Sequence, residues 1–194
     1  PSGAGVWASP TLDAKRGLMY IATGDNYSSP PTDLSDAIVA LEIATGKVMW
    51  SKQVTPGDAY NSSCAADKQN CPEEDGPDYD FGSSAILTQL PGGRDVLLAG
   101  QKSGMVYALD PEKKGELLWQ VRIAPNSPGT PTSVGVQWGM ATDGQRVYAT
   151  TSSTGRTPPK DPLDTRRVIL DPTKGGGLTA LRVADGAKVW YAPP

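Results

Sequence analysis

Asp78 and Asp80, separated by Tyr79, are the residues of this sequence whose types and spacing most readily do chemistry. On a strand, with its period of two, both carboxylates would face one side, where they either hold a cation or raise one another's pKa. The alternative is a pair of solvated loop aspartates. Asp25 and Asn26 form a second group, whose side-chain oxygens suit a hard cation and whose residue types equally suit a turn. The chain has no His, which excludes a Ser-His-Asp triad and His-ligated zinc or haem, so acid–base work falls to Asp or Glu. Cys64 and Cys71 would close a small disulfide loop in an exported protein. Gly175-Gly176-Gly177 lacks a strand-to-helix context and reads as a turn, not as a phosphate cradle.

Composition narrows the partners. The 194 residues carry a net charge of -3 with no Lys/Arg cluster to neutralise phosphates, so no nucleic-acid partner is expected. Hydrophobic residues make up 38% without a long apolar run, so no membrane span is expected, and no secretory leader is read at the start. The 22 Gly and 18 Pro suit many short strands joined by tight turns.

The elements that must position these carboxylates come from a phrase that occurs three times. Ala40-Leu41-Glu42-Ile43-Ala44-Thr45-Gly46-Lys47-Val48-Met49-Trp50 returns as Ala108-Leu109-Asp110 leading to Gly115 and Trp119, with one extra residue before its Gly, and again as Ala180-Leu181 leading to Gly186 and Trp190. The three Trp stand 69 and 71 positions apart, the mark of a repeat architecture. Each copy ends a run of four alternating strands, which gives blades over about 5–54, 81–123 and 135–192 and insertions over about 55–80 and 154–177. The fold class is all-β, a propeller of four-stranded antiparallel blades in a single domain over 1–194. Three blades are too few to close a ring, so the chain is expected to be part of a propeller of probable eight blades, completed by further blades of a longer parent or by self-association.

The Ala-x-Asp/x-x-x-Thr-Gly-x-x-x-Trp pattern resembles the tryptophan-docking motif of the pyrroloquinoline quinone (PQQ) dehydrogenases, and a looser version occurs in the outer-membrane assembly lipoprotein BamB. Further segments resemble the enzymes. Gly5-Val6-Trp7-Ala8-Ser9-Pro10 corresponds to the segment whose Trp stacks under the cofactor, and Thr23-Gly24-Asp25-Asn26 to the one that supplies a metal-ligating Asn. An ungapped count selects Asp25, whereas the Asn-x-Ser pattern selects Asn26. Gly76-Pro77-Asp78-Tyr79-Asp80-Phe81-Gly82 resembles the family's Trp-Asp-Tyr segment, with Pro77 in place of the Trp and an insertion of about twenty residues after Thr55-Pro56-Gly57-Asp58. Those departures fit the polyvinyl alcohol dehydrogenase branch. Gln101-Lys102-Ser103-Gly104 through Asp110 resembles the segment whose basic residue reaches the quinone oxygens.

The resemblance implies that Asp78 is the catalytic base, that Trp7 and Lys102 hold PQQ, and that Asp25, Asn26, Asp78 and Asp80 ligate calcium or a lanthanide. An alcohol, small or polymeric, would pass its carbon-bound hydrogen to the quinone as hydride. An acceptor such as cytochrome c would then take the electrons in the bacterial periplasm or outside the cell. No Cys-x-x-Cys-His is present, so a c-type haem would sit elsewhere in the parent, and a Glu ligand of the family has no match here. The isolated chain is therefore expected to be inactive. Two readings compete: a non-catalytic binding scaffold of the bacterial envelope, which would leave Asp78, Asp80 and Lys102 scattered, and a quinone- or sugar-binding sensor without turnover. The third blade holds no matched site residue and reads as structural.

Overall fold

The computed structural model describes residues 3–124, 135–152, 155–157, 169–171 and 175–193. Strands Thr11–Asp13 (β1), Leu18–Ala22 (β2), Ala37–Glu42 (β3) and Val48–Gln53 (β4) pair antiparallel in chain order. Ile86–Gln89 (β5), Asp95–Gly100 (β6), Met105–Asp110 (β7) and Glu116–Arg122 (β8) repeat that sheet. In the third, Met140–Thr142 (β9) and Arg146–Thr151 (β10) precede a separate hairpin of Gly155–Thr157 (β11) and Ile169–Asp171 (β12). Gly177–Arg182 (β13) and Lys188–Ala192 (β14) then complete the order β14-β13-β10-β9. The described residues thus form three four-stranded blades, the all-β propeller architecture expected from the repeat. Most of the second insertion lies outside the described residues, and no described helix is long and apolar enough to cross a membrane.

Strand alternation explains how the blades stack. In the middle blade, Leu97, Ala99, Tyr107 and Leu109 pack with Tyr20, Ile38 and Trp50 of the first blade. Their neighbours Val96, Leu98, Val106 and Ala108 pack with Val147, Ala149 and Leu181 of the third. A period of two sends alternate side chains to opposite faces, so a blade buried on both faces needs apolar residues throughout, which β6 and β7 supply. The first blade's edge strand begins only at Thr11. Pro10 has no N–H for a ladder, and the preceding segment instead pairs sideways, with Gly24 N–H donating to Gly5 O at 2.8 Å.

The repeated phrase is a docking device. Trp50, Trp119 and Trp190 lie opposite Ala40, Ala108 and Ala180, and the register shifts at the same place in each blade. The turn glycines of the second and third blades then receive the indole of the blade before them, whereas Gly46 of the first faces open space. A methyl on Gly115 would come within 2.8 Å of the Trp50 ring, and one on Gly186 within 2.7 Å of Trp119. Trp119 also donates its Nε1–H to Val183 O at 2.8 Å. The extra residue of the middle copy is absorbed by a 3₁₀ turn at Pro111–Lys113, followed by Lys114 in the left-handed region.

Arg16 ties the first two blades together at their rim. Its guanidinium meets Asp13 at 2.7 Å within its own blade, and Asp95 and Glu112 of the next at 2.6 Å each. Asp13 also accepts the Tyr20 hydroxyl at 2.7 Å, and both Asp13 and Asp95 are nearly inaccessible to solvent. Burial works to raise the Asp13 pKa, but Tyr20 and Arg16 outweigh it and lower it. The hydrogen bond from Arg16 lowers that of Asp95. Removing the cation leaves buried Asp13 without a counter-charge and Asp95 with only the exposed Lys15, 3.0 Å away, so Arg16→Ala is expected to cost about 2 kcal/mol by chemical denaturation, discounted for the solvent near Glu112. Depressed carboxylate pKa values stabilise above the unfolded value of about 4 and stop doing so as pH falls. The gap between wild type and variant should therefore shrink below that pH.

Candidate functional site

The site lies at one edge of the first two blades, where β2 and β6 end and the segments leading into β1 and β5 begin. Backbone hydrogen bonds join these segments. Phe81 N–H donates to Thr23 O at 3.2 Å, Lys102 N–H to Asp80 O at 3.0 Å, Asn26 N–H to Asp58 O at 3.2 Å and Tyr60 N–H to Asn26 O at 2.8 Å. Asp25, Asp78, Asp80, Lys102 and Trp7 consequently line one cavity of about 620 Å³.

Lys102 sits between the two aspartates, with Nζ 2.8 Å from Asp78 Oδ1 and 2.5 Å from Asp80 Oδ2. Carboxylate oxygens of Asp25, Asp78 and Asp80 lie within 4.8 Å of one another. Asp80 Oδ1 accepts the Asp25 backbone N–H at 2.7 Å, a contact that requires Gly24, because a methyl there would overlap that oxygen. Trp7 is 43% exposed, and its ring centroid lies 5.4 Å from the Lys102 ammonium, within cation–π range.

Burial and mutual repulsion set the protonation of the cluster. Burial, then the hydrogen bond and charge of Asp80, push Asp25 up to about 9, so it holds its proton at neutral pH. Burial raises Asp78 to about 6 against the pull of Lys102. Burial acts on Asp80 in the same direction, but Lys102 and the bonds from Asp25 outweigh it and keep this carboxyl below the usual range. Burial opposes the charge on Lys102 as well, yet the facing carboxylates raise its pKa. Neutral pH thus leaves one protonated acid, one firmly ionised acid and one that titrates between them.

Asp58 fixes the geometry of the base segment. It is fully buried and accepts the backbone N–H of Asp78 at 3.2 Å and of Tyr79 at 2.8 Å. Burial raises its pKa, and its neighbour Asp36 is driven to about 10 by burial and then by Asp58. As a carboxylate Asp36 has no donor among the described residues, whereas protonated it hydrogen-bonds to Asp58.

The structure brings Asp78 and Asp80 together by a route other than strand period. Neither lies in a strand, and Asp78 adopts the left-handed conformation at φ 57, so a turn held by Asp58 aims both carboxylates at Lys102. Of the Asp25/Asn26 pair, Asp25 joins the cluster. Asn26 does not line the cavity; its Oδ1 accepts the Thr32 backbone N–H at 2.6 Å and the Thr32 hydroxyl at 3.2 Å. Cys64 and Cys71 form a disulfide.

One residue of the third blade reaches Trp7. Trp138, 77% exposed, meets Trp7 edge-on with ring centroids 6.4 Å apart. Sequence reasoning missed it, although Gly135-Val136-Gln137-Trp138 echoes Gly5-Val6-Trp7 at the opening of a blade. Tyr27, Tyr60, Asn61 and Ala65, which line the cavity beside the carboxylates, carry no signal of that kind.

Tryptophan-docked four-stranded blades that gather three aspartates, a lysine and an exposed indole in one cavity define a propeller of the quinoprotein type. The description of the glucose/ethanol/alcohol dehydrogenase β-propeller domain matches residues 1–133. The chain belongs to this PQQ-dependent dehydrogenase family. A polyvinylalcohol dehydrogenase of Pseudomonas sp. is 44% identical over 100% of this chain, and the chain spans 27% of that relative's length. Among solved structures, quinohemoprotein alcohol dehydrogenase ADHIIG of Pseudomonas putida HK5 superposes with a TM-score of 0.58 at 18% identity, covering 98% of this chain and 41% of that one. BamB of Moraxella catarrhalis gives 0.53 at 18% identity, covering 97% and 38%. These two likenesses concern the fold alone.

Proposed function

We propose that this chain is the part of a quinoprotein alcohol dehydrogenase that holds one side of the active site, acting on secondary alcohols of the polyvinyl alcohol type. The observation that carries the reading is the convergence of Asp25, Asp78, Asp80, Lys102 and Trp7 in one cavity. A scaffold would have left these groups more than roughly 12 Å from a common point, beyond reach of one cofactor. Instead Lys102 touches both carboxylates.

The residues fit the groups the family implies. Three clustered carboxylates offer hard oxygen donors for calcium or a lanthanide, whose charge would displace the proton that Asp25 otherwise holds against Asp80. The exposed Trp7 face suits a flat ring, and Lys102 supplies a cationic donor beside it. When bound, PQQ would accept two electrons with the substrate's carbon-bound hydrogen, and the cation would polarise a carbonyl. Asp78 is the group that takes the hydroxyl proton. Asp25 already holds a proton at neutral pH, and Asp80 is ionised but tied to Lys102 and to the Asp25 amide. Lys102 orients Asp78 and stabilises negative charge developing beside it. The disulfide supports an oxidising compartment, periplasmic or extracellular. A cytochrome-type protein is the proposed electron acceptor.

Full-length protein supplied with PQQ and calcium should oxidise 2-propanol with an artificial electron acceptor, and the 194-residue chain alone should not. No turnover by the full-length protein with calcium or lanthanum would overturn the dehydrogenase reading. Robust turnover by the isolated chain would overturn its dependence on further blades.

A further inference from the structure

From the hydrogen bonds behind the site we infer that Gln101 is a positioning residue, whose buried amide couples the segment carrying Lys102 to the segment carrying Asp78 and so holds ammonium and carboxylate in register. The inference rests on the dehydrogenase reading. Val96 to Ala99 of β6 are apolar and fully buried between two blades, and Gln101 follows at 0% exposure. An amide in such a place is costly unless its polar atoms are paired, so its partners indicate its role. Nε2 donates to the Thr55 hydroxyl at 3.0 Å, and Oε1 accepts the hydroxyls of Ser103 at 2.6 Å and Tyr107 at 3.2 Å.

Those partners lead to both ends of the Lys102–Asp78 pair. Thr55 opens the Thr55-Pro56-Gly57-Asp58 segment, whose Asp58 accepts the backbone N–H groups of Asp78 and Tyr79. Ser103 follows Lys102, and Tyr107 packs edge-on against Phe81, next to Asp80, with ring centroids 5.8 Å apart. The bonds close a ring that runs from Gln101 to Thr55, from Asp58 to Asp78, from Asp78 to the Lys102 ammonium, and along one peptide back to Gln101. The backbone of the Lys102 turn is held separately. Gln101 N–H donates to Met105 O at 3.0 Å, and Gln101 O accepts the N–H of Gly104 at 2.9 Å and of Val136 in the third blade at 3.0 Å. A methyl on Gly135 would come within 2.1 Å of Lys102 O, so the third blade closes over that peptide. The Gln101 amide adds the tie to the Thr55–Asp58 segment. A lysine side chain is long, and its ammonium rests where its backbone origin and its partners put it, so a ring that fixes both keeps the pair in contact.

The test uses full-length protein. Gln101→Met keeps the volume of the side chain and removes its hydrogen bonds. Loaded with PQQ and calcium, Q101M should lower kcat for 2-propanol about tenfold and leave KM within about twofold, as when reacting groups and not substrate contacts are displaced. Thr55→Val should lower kcat severalfold, Thr55→Ser should keep the wild-type rate, and Q101M/T55V should be no slower than Q101M, because both changes break one bond. On a D78N background Q101M should cost less than about twofold, since the pair it positions is already broken. Hydrogen exchange on protein free of metal and PQQ gives a second readout. Q101M should speed exchange at Asp78 and Tyr79 along with residues 101–104 and leave β2 unchanged. T55V, which alters one half-buried hydroxyl, carries the same comparisons should Q101M not fold. An equal loss on the wild-type and D78N backgrounds, or faster exchange confined to residues 101–107, would overturn the assignment while leaving the dehydrogenase reading intact. Absence of any alcohol oxidation by wild type would overturn that reading, and exchange at Asp78 and Tyr79 then decides whether Gln101 couples the two segments.

Discussion

Asp78→Asn in the full-length protein is expected to lower kcat/KM for alcohol oxidation by about 10²–10⁴-fold, the range a positioned general base contributes. The substitution is well chosen structurally. Asp78 sits in the left-handed region, which Asn tolerates better than most residues, and its backbone N–H to Asp58 is unaffected. The carboxamide can still accept from Lys102, so the loss would report proton transfer and not collapse of the site. The pH profile separates the two. Burial places the Asp78 carboxyl at about 6 against the pull of Lys102, and a base works only when ionised. Wild-type kcat/KM should rise with pH through about 6 and level off above it. A bound cation favours the ionised form and moves that limb to lower pH. The variant should show no such limb. A variant within tenfold of wild type that keeps the limb would remove Asp78 from the role of base.

The blade frame was legible because it is local. Alternation, turn glycines and the thrice-repeated Trp all operate within about fifteen residues, and the same docking contact at Gly115 and Gly186 confirms what the repeat implied. The site is different, because its geometry depends on segments far apart in sequence. The proximity of Asp78 and Asp80 could be anticipated from their spacing, but the left-handed turn that aims them depends on Asp58, twenty positions earlier, across a folded insertion. Without the resemblance to known enzymes, nothing in the sequence separates Lys102 from an ordinary turn lysine. Its partners become visible only when its backbone N–H meets Asp80 O. The Asp25/Asn26 ambiguity turned on a backbone feature: Asn26 bridges Ala4 and Ala59, and its side chain turns to Thr32. Trp138 stands outside the repeated phrase, which marks the end of each blade, whereas Trp7 and Trp138 open theirs and meet edge-on.

Lys102→Met should make the protein both less stable and more responsive to metal. The ammonium is largely buried between two buried carboxylates, and removing one member of such a group leaves charge uncompensated, at a cost of about 3 kcal/mol. The sign with pH follows from the raised Lys102 pKa. Its contribution is fully present below the unfolded lysine value of about 10 and is lost only as pH rises through the folded value. In the variant, Asp80 loses its chief counter-charge and joins Asp25 in holding a proton, so its stability should fall as pH rises from about 4 toward neutrality. A cation reverses this. With Lys102 gone, Asp25, Asp78 and Asp80 remain within 4.8 Å of one another and have no internal cation to share. Calcium or lanthanum should therefore raise the Tm of K102M by several degrees more than that of wild type, measured by calorimetry on full-length protein without PQQ. Equal shifts would mean that Lys102 and the cation do not compete for the same oxygens. A K102M protein as stable as wild type in metal-free buffer would mean that the lysine does not serve as the site's counter-ion. Catalysis should fall in K102M even with the metal bound, because Met can neither orient Asp78 nor stabilise negative charge beside it.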